Sequence, residues 1–218
     1  MPRPNRSSVN PRLSCLTAMT LCIPVLCGCS VFKAIAIASG EKTEKVDAEF
    51  SRLPAKKTLI YVWAPIEIKW DYPHIRLELA KHLAAYLKTN VKDFETVEPE
   101  VVEKYLEKSR STEVDPVELG KHFQVDVVIH LSLYQFSLRD PGMAHFYRGR
   151  MYSSVEVHDL TKGDPAERIP LREVKVVCPE EKEIGFTNVR ADQVRQRTYE
   201  MFTAEVGKKF HEYERQLD

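Results

Sequence analysis

The sequence predicts an α/β (α+β) chain, with a mixed β-sheet, helices packed mainly on one face of it, and a helix at the C-terminus. Three observations carry that prediction. Thr58 to Pro65 (TLIYVWAP) is a β-rich apolar run closed by proline, and a run apolar on both faces marks a central strand. Ile75, Leu79, Leu83, Leu87 and Val91 recur every four residues with Ala80 and Ala84 beside them, the stripe of a helix with one buried face. Val127, Ile129, Leu131 and Leu133 alternate with Val128, His130, Ser132 and Tyr134, the period of a strand.

The remaining elements follow in chain order. Trp70, Asp71, Tyr72 and Pro73 read as a loop before the helix that runs from His74 to about Val91, and Phe94 to Val97 as a short strand. Pro99 opens a helix holding Val101, Val102, Tyr105 and Leu106. A third helix has strong start signals, with Asp115 as N-cap, Pro116 in the first turn and Glu118 three residues on, and it extends to about Phe123. After the Val127 strand, Arg139 to Gly142 turns the chain. A second long strand spans about Arg150 to Leu160, Asp159 to Asp164 turns again, and Leu171 to Cys178 forms a third strand. A long helix from about Arg190 to Tyr213, with Val194, Phe202, Val206 and Phe210 inward, closes the order β-α-β-α-α-β-β-β-α. Helices that precede the meander predict an open second sheet face.

The hydrophobic fraction of 43% and charged fraction of 29% mark a chain that folds. Charge is zero overall but unevenly placed. Residues 1–28 hold Arg3, Arg6 and Arg12 and no acid, which leaves 29 basic against 32 acidic residues beyond them. A net of −3 gives no electrostatic reason to bind nucleic acid. Cys15, Cys22, Cys27 and Cys29 crowd the start, and Cys178 stands alone, so no disulfide framework and no structural zinc site is expected.

That start reads as an export leader. Three arginines precede Leu13 to Leu26, fourteen uncharged residues. This is too short for a spanning helix, which needs about 20 apolar residues, and right for a signal segment. Leu26-Cys27-Gly28-Cys29 then resembles the bacterial lipobox. The resemblance implies cleavage after Gly28 and lipid on the Cys29 sulfur, a stable membrane anchor when two or three acyl chains are present. The alternative is an uncleaved amphipathic or buried N-terminal helix, which the apolar residues 31–38 would extend. The expected organisation is a signal peptide at 1–28, a lipidated cysteine and tether at 29–57, and one periplasmic domain at 58–218. Ser30 is compatible with an outer-membrane destination.

The pattern of elements from Thr58 to Val177 also resembles a group of envelope lipoproteins. It includes the Asp115-Pro116-Val117-Glu118-Leu119-Gly120 segment leading into Val125-Asp126-Val127-Val128-Ile129, and the turn at Asp159 to Gly163. The group includes the curli-secretion lipoproteins and the lipoprotein activators of penicillin-binding proteins. The resemblance implies action by protein–protein contact in the cell envelope, without catalysis.

The residue reading of chemistry agrees. There is no nucleophile elbow around a serine, no clustered glycines for a phosphate loop, and no His-Glu-x-x-His. No catalytic residue, metal or cofactor is expected. The polar face of the two long strands is the candidate partner surface. It comprises Val128, His130, Ser132, Tyr134, Phe136, Tyr152, Ser154, Glu156 and His158, aromatics interleaved with small polar groups. The expected partners are the membrane, through the lipid, and an unidentified envelope protein. A subunit of a secretion or transport complex, seen as a stable homo-oligomer, is a second expectation. An envelope hydrolase using His130, Glu156 or His158 is a third. A cover over this face by the tether, the loop 139–149 or the C-terminal helix would remove the surface altogether.

Overall fold

The computed structural model describes residues 43–109, 113–139, 147–163, 165–179 and 191–217. The leader, Cys29 and the first part of the tether lie outside the described residues. Lys45 to Arg215 form one compact unit. Thr43, Glu44, Gln216 and Leu217, the other described residues, belong to a second unit.

Seven strands and five α-helices are described. They are β1 (Thr43–Val46), β2 (Lys57–Trp63), α1 (Ile66–Asp71), α2 (Ile75–Asn90), β3 (Glu95–Thr96), α3 (Pro99–Lys108) and α4 (Pro116–Phe123). After these come β4 (Val127–Arg139), β5 (Tyr147–Asp159), β6 (Glu167–Cys178), α5 (Ala191–Gly207) and β7 (Tyr213–Gln216). The main sheet has the order β3-β2-β4-β5-β6, and β1 and β7 form a two-stranded sheet. β2 runs parallel to β3 and β4, while β4, β5 and β6 form an antiparallel meander. The sheet is therefore mixed, as the element order predicts.

One face of that sheet is the main core. Ile60 and Val62 of β2, Ile129, Leu131 and Leu133 of β4, and Met151, Val155 and Val157 of β5 pack against Leu79, Leu83 and Leu87 of α2. Tyr199, Phe202 and Val206 of α5 complete it. Among the described residues, the second face is covered over β2 and the start of β4. There Val102 and Leu106 of α3 and Leu119 of α4 enclose Leu59, Tyr61 and Val128 in a smaller core. The Asp115 side chain caps α4 by accepting from the Val117 and Glu118 amides, at 2.7 and 3.0 Å. Gly120 lets this helix lie close to the sheet, since a Cβ there would meet Val128 Cγ2 at 2.7 Å and Leu160 Cδ2 at 2.9 Å.

Several expectations are corrected. The domain begins well before Thr58, because Phe50 and Leu53 are fully buried in the main core. Each contributes roughly 1.5–3 kcal/mol of burial that a chain starting at Thr58 would lose. The charges around them are partnered across the fold. Glu49 accepts from the Arg172 amide and from Lys209, and Arg52 and Lys56 reach the buried carboxylate of Asp159 at 3.2 and 3.3 Å. Two lone apolar residues among charges carry no period, so the segment reads as a tether although it packs as core. Trp70 and Asp71, expected in a loop with Tyr72 and Pro73, instead end α1, which has Ile68 inward. The C-terminal helix stops at Gly207 and, after a 3₁₀ turn, the chain ends in β7 rather than continuing as helix to Tyr213.

Candidate functional site

β4 and β5 bring the expected residues together through their register. His130 lies opposite Glu156, Ser132 opposite Ser154, and Val128 opposite His158. All these even-numbered residues share the second face, as alternation requires. The register slips between Leu133 and Gln135, where a bulge places Tyr134 outside the paired ladder. The slip reverses the parity of β4. Phe136 and Leu138 therefore turn into the main core, and Phe136, expected on the partner surface, packs there at 7% exposure. Val128 is also lost from that surface, buried under α3 and α4.

The rest of the face divides into two parts. Beyond the helices, Tyr134 is 51% exposed, its ring 5.6 Å from that of Tyr152. Its hydroxyl shares a 2.9 Å hydrogen bond with Ser154, and the Tyr152 hydroxyl donates to Glu173 on β6. Of the expected covers, Phe50 and Leu53 of the tether and the C-terminal helix pack on the opposite face. Residues 29–42 of the tether and 140–146 of the loop lie outside the described residues.

At the border of the covered part lies a tighter cluster. The His130 ring stacks on Tyr61 of β2, with centroids 4.8 Å apart and planes 9° from parallel. Ser132 Oγ sits 3.3 Å from His130 Nε2, and His158 Nε2 lies 3.8 Å from a Glu156 oxygen. Arg168 of β6 donates twice to Glu156, at 2.9 and 2.5 Å. Those two bonds hold the Glu156 carboxyl below its ordinary range. Burial, reinforced by the neighbouring His158, pushes His130 down to about 4, and burial lowers His158 as well. Both rings are therefore neutral at neutral pH. Two buried ring nitrogens, His130 Nδ1 and His158 Nε2, have no hydrogen-bond partner among the described residues.

Sequence reading misses Tyr61 and Arg168. Tyr61 is hidden in an apolar run, and its parity with Leu59 is the one available signal. Arg168 precedes the point where the third strand is expected, and only the longer β6 places it opposite His158.

No family model and no curated protein matches the chain. Some solved structures are similar to parts of it. The PelC dodecamer of Paraburkholderia phytofirmans is 7% identical with a TM-score of 0.45, covering 78% of this chain and 98% of that one. Lipoprotein GNA1162 of Neisseria meningitidis is 14% identical with a TM-score of 0.41, covering 70% and 96%. The hypothetical protein CT253 of Chlamydia trachomatis is 11% identical with a TM-score of 0.40, covering 70% and 96%. None of the three is named as a curli-secretion lipoprotein or an activator of penicillin-binding proteins. At such identities and scores these likenesses carry no functional inference.

Proposed function

We propose that this chain is a lipid-anchored protein of the bacterial envelope that acts as a non-enzymatic adaptor or assembly factor. It docks another envelope protein through the uncovered part of the second sheet face. The observation that carries this reading is the Tyr134–Tyr152 pair, Tyr134 exposed and Tyr152 half-buried, yet both held in place by Ser154 and Glu173. Ordered aromatics with polar tips suit a contact surface, because they bring large area at little loss of side-chain freedom. The anchor reading rests on the arginine flank, the short apolar segment and the Leu26 to Cys29 lipobox. Among the described residues no helix is long and apolar enough to cross a membrane.

The hydrolase alternative has one observation in its favour, the contact of Ser132 with His130. A serine base needs its other ring nitrogen oriented by a carboxylate. Here His130 Nδ1 has no such partner and Glu156 is taken by Arg168. The clefts lined by Glu49, Arg172 and Lys209, and by Tyr72, Phe136 and Arg195, contain none of these groups.

The test joins Tyr134→Ala with Tyr152→Ala in the anchored protein and compares crosslinked envelope partners with those of the wild type. Partner capture should fall by tenfold or more, at about 2 kcal/mol for a buried interface aromatic, while the melting temperature stays near that of the parent. Capture at the wild-type level would remove the proposed surface. His130→Ala belongs beside it, since an enzyme would lose activity there while still binding its partner. Cys29→Ala should abolish incorporation of labelled fatty acid, and retained label would place the anchor elsewhere.

A further inference from the structure

The cluster at the border of the covered part has a use that docking does not require. Ring nitrogens of His130 and His158 and a carboxylate oxygen of Glu156 lie within 4.8 Å of one another. Donors around a tetrahedral zinc ion, bound at 2.0–2.1 Å, are separated by about 3.3–3.5 Å. Closing that gap is a matter of side-chain rotation, since the register already sets Glu156 opposite His130, with His158 two residues further along β5. The three residues sit on adjacent antiparallel strands, and His158 is 7% exposed.

The hydrogen bonds say which atoms are available. Ser132 occupies His130 Nε2, which leaves Nδ1 as the bare nitrogen, and His158 Nε2 is bare as well. An unpartnered buried polar atom loses its hydration without compensation, and two in one cluster call for a ligand that satisfies both. Neutral imidazole nitrogens prefer a borderline metal such as zinc over calcium or magnesium, which take oxygen ligands. The outer contacts also fit, since Ser132 and the Tyr61 ring fix the His130 plane, as the hydrogen bond on the far ring nitrogen orients a metal-binding histidine.

We propose that His130 Nδ1, His158 Nε2 and the Glu156 carboxylate form a binding site for one zinc ion, with Arg168 as the competing cation that holds Glu156 in the metal-free state. Arg168 is anchored by Glu156 alone among these groups, and its side chain is 66% exposed. It can swing into solvent when the metal takes the carboxylate. Three protein ligands leave a fourth position for water or for a donor from a partner. This site stands on its own geometry and survives even if the tyrosine surface binds nothing.

The test is calorimetric titration of the full-length protein in detergent micelles with zinc chloride, repeated with cobalt(II) so that visible absorption reports nitrogen coordination. One saturable equivalent is expected, weakened at least about tenfold in His158→Gln and in His130→Gln. Arg168→Gln should tighten binding by about tenfold, because it removes a nearby positive charge and frees Glu156. Arg168 is exposed, so this variant stays folded even if a histidine variant does not. No purely structural role for the cluster predicts a gain. Absence of a saturable equivalent in the wild type overturns the site. So does wild-type affinity in a folded His158→Gln, or weaker binding in Arg168→Gln.

Discussion

The second face of the sheet contains two regions built on the same alternation with opposite fates. At one end Leu59, Tyr61 and Val128 lie under α3 and α4, and at the other Tyr134, Tyr152 and Ser154 face outward. Both regions are written as every second residue of a strand. The difference lies in what the rest of the chain places above them, and the histidine cluster marks the seam between them.

The largest expected effect tests the covered end. Leu119→Ala removes the fully buried anchor of α4 and should destabilise the fold by about 2–5 kcal/mol in urea unfolding. A loss under about 1 kcal/mol would mean that α4 is not a structural cover.

The seam should show itself in acid. The folded state keeps His130 neutral down to about 4, whereas the unfolded chain takes up its proton near 6.5. His130 therefore contributes stability that is full above about 6.5 and declines as pH falls toward 4, by up to about 3 kcal/mol. His130→Phe, which keeps the ring over Tyr61, should flatten that slope in unfolding measured across the window. Asp159 titrates lower. Burial raises its carboxyl, but hydrogen bonds from Thr161 and Lys56 outweigh that and hold it below its ordinary value. Its share is lost only as pH falls through that depressed value, so an unchanged slope in His130→Phe would assign the acid sensitivity elsewhere.

Gly120→Ala probes the closeness of the cover. The added methyl would press on Val128 and Leu160, and overpacking of this kind costs about 1–3 kcal/mol. Should the melting temperature rise instead, as it does when a helix glycine has room, the approach of α4 to the sheet is looser than described. The smallest change belongs to the open end, where Tyr134→Ala with Tyr152→Ala should alter stability by no more than about 1 kcal/mol. A loss matching that of Leu119→Ala would show that this end is covered too.

Much of the fold is legible before the coordinates. The four-residue period of α2, the Asp115 cap and the alternation of β4 up to Leu133 each depend on neighbours close in sequence. What fails is what depends on distant residues. The β4 bulge carries no local mark, since Tyr134-Gln135-Phe136 continues the polar–apolar alternation in the wrong phase and so points Phe136 to the open face. Phe50 and Leu53 are isolated apolar residues whose burial depends on α2, α5 and β4 being present. The strand after the C-terminal helix has four residues, of which three are exposed, too little apolar pattern to show a period.

The sequence by itself determined the main helices and strands and which side of each regular strand a residue takes. Those follow from the 2.0 and 3.6 periods, which are properties of a single segment. Only the tertiary structure decided where the second face is covered, which strand Glu156 and His158 lie against, and that Tyr61 and Arg168 join them. Strand register across long connections is set by packing of the whole sheet against its helices, and one slipped residue sends a side chain to the other face. The carboxylate and the two imidazoles thus meet because β4 and β5 are aligned by a core that neither contains alone.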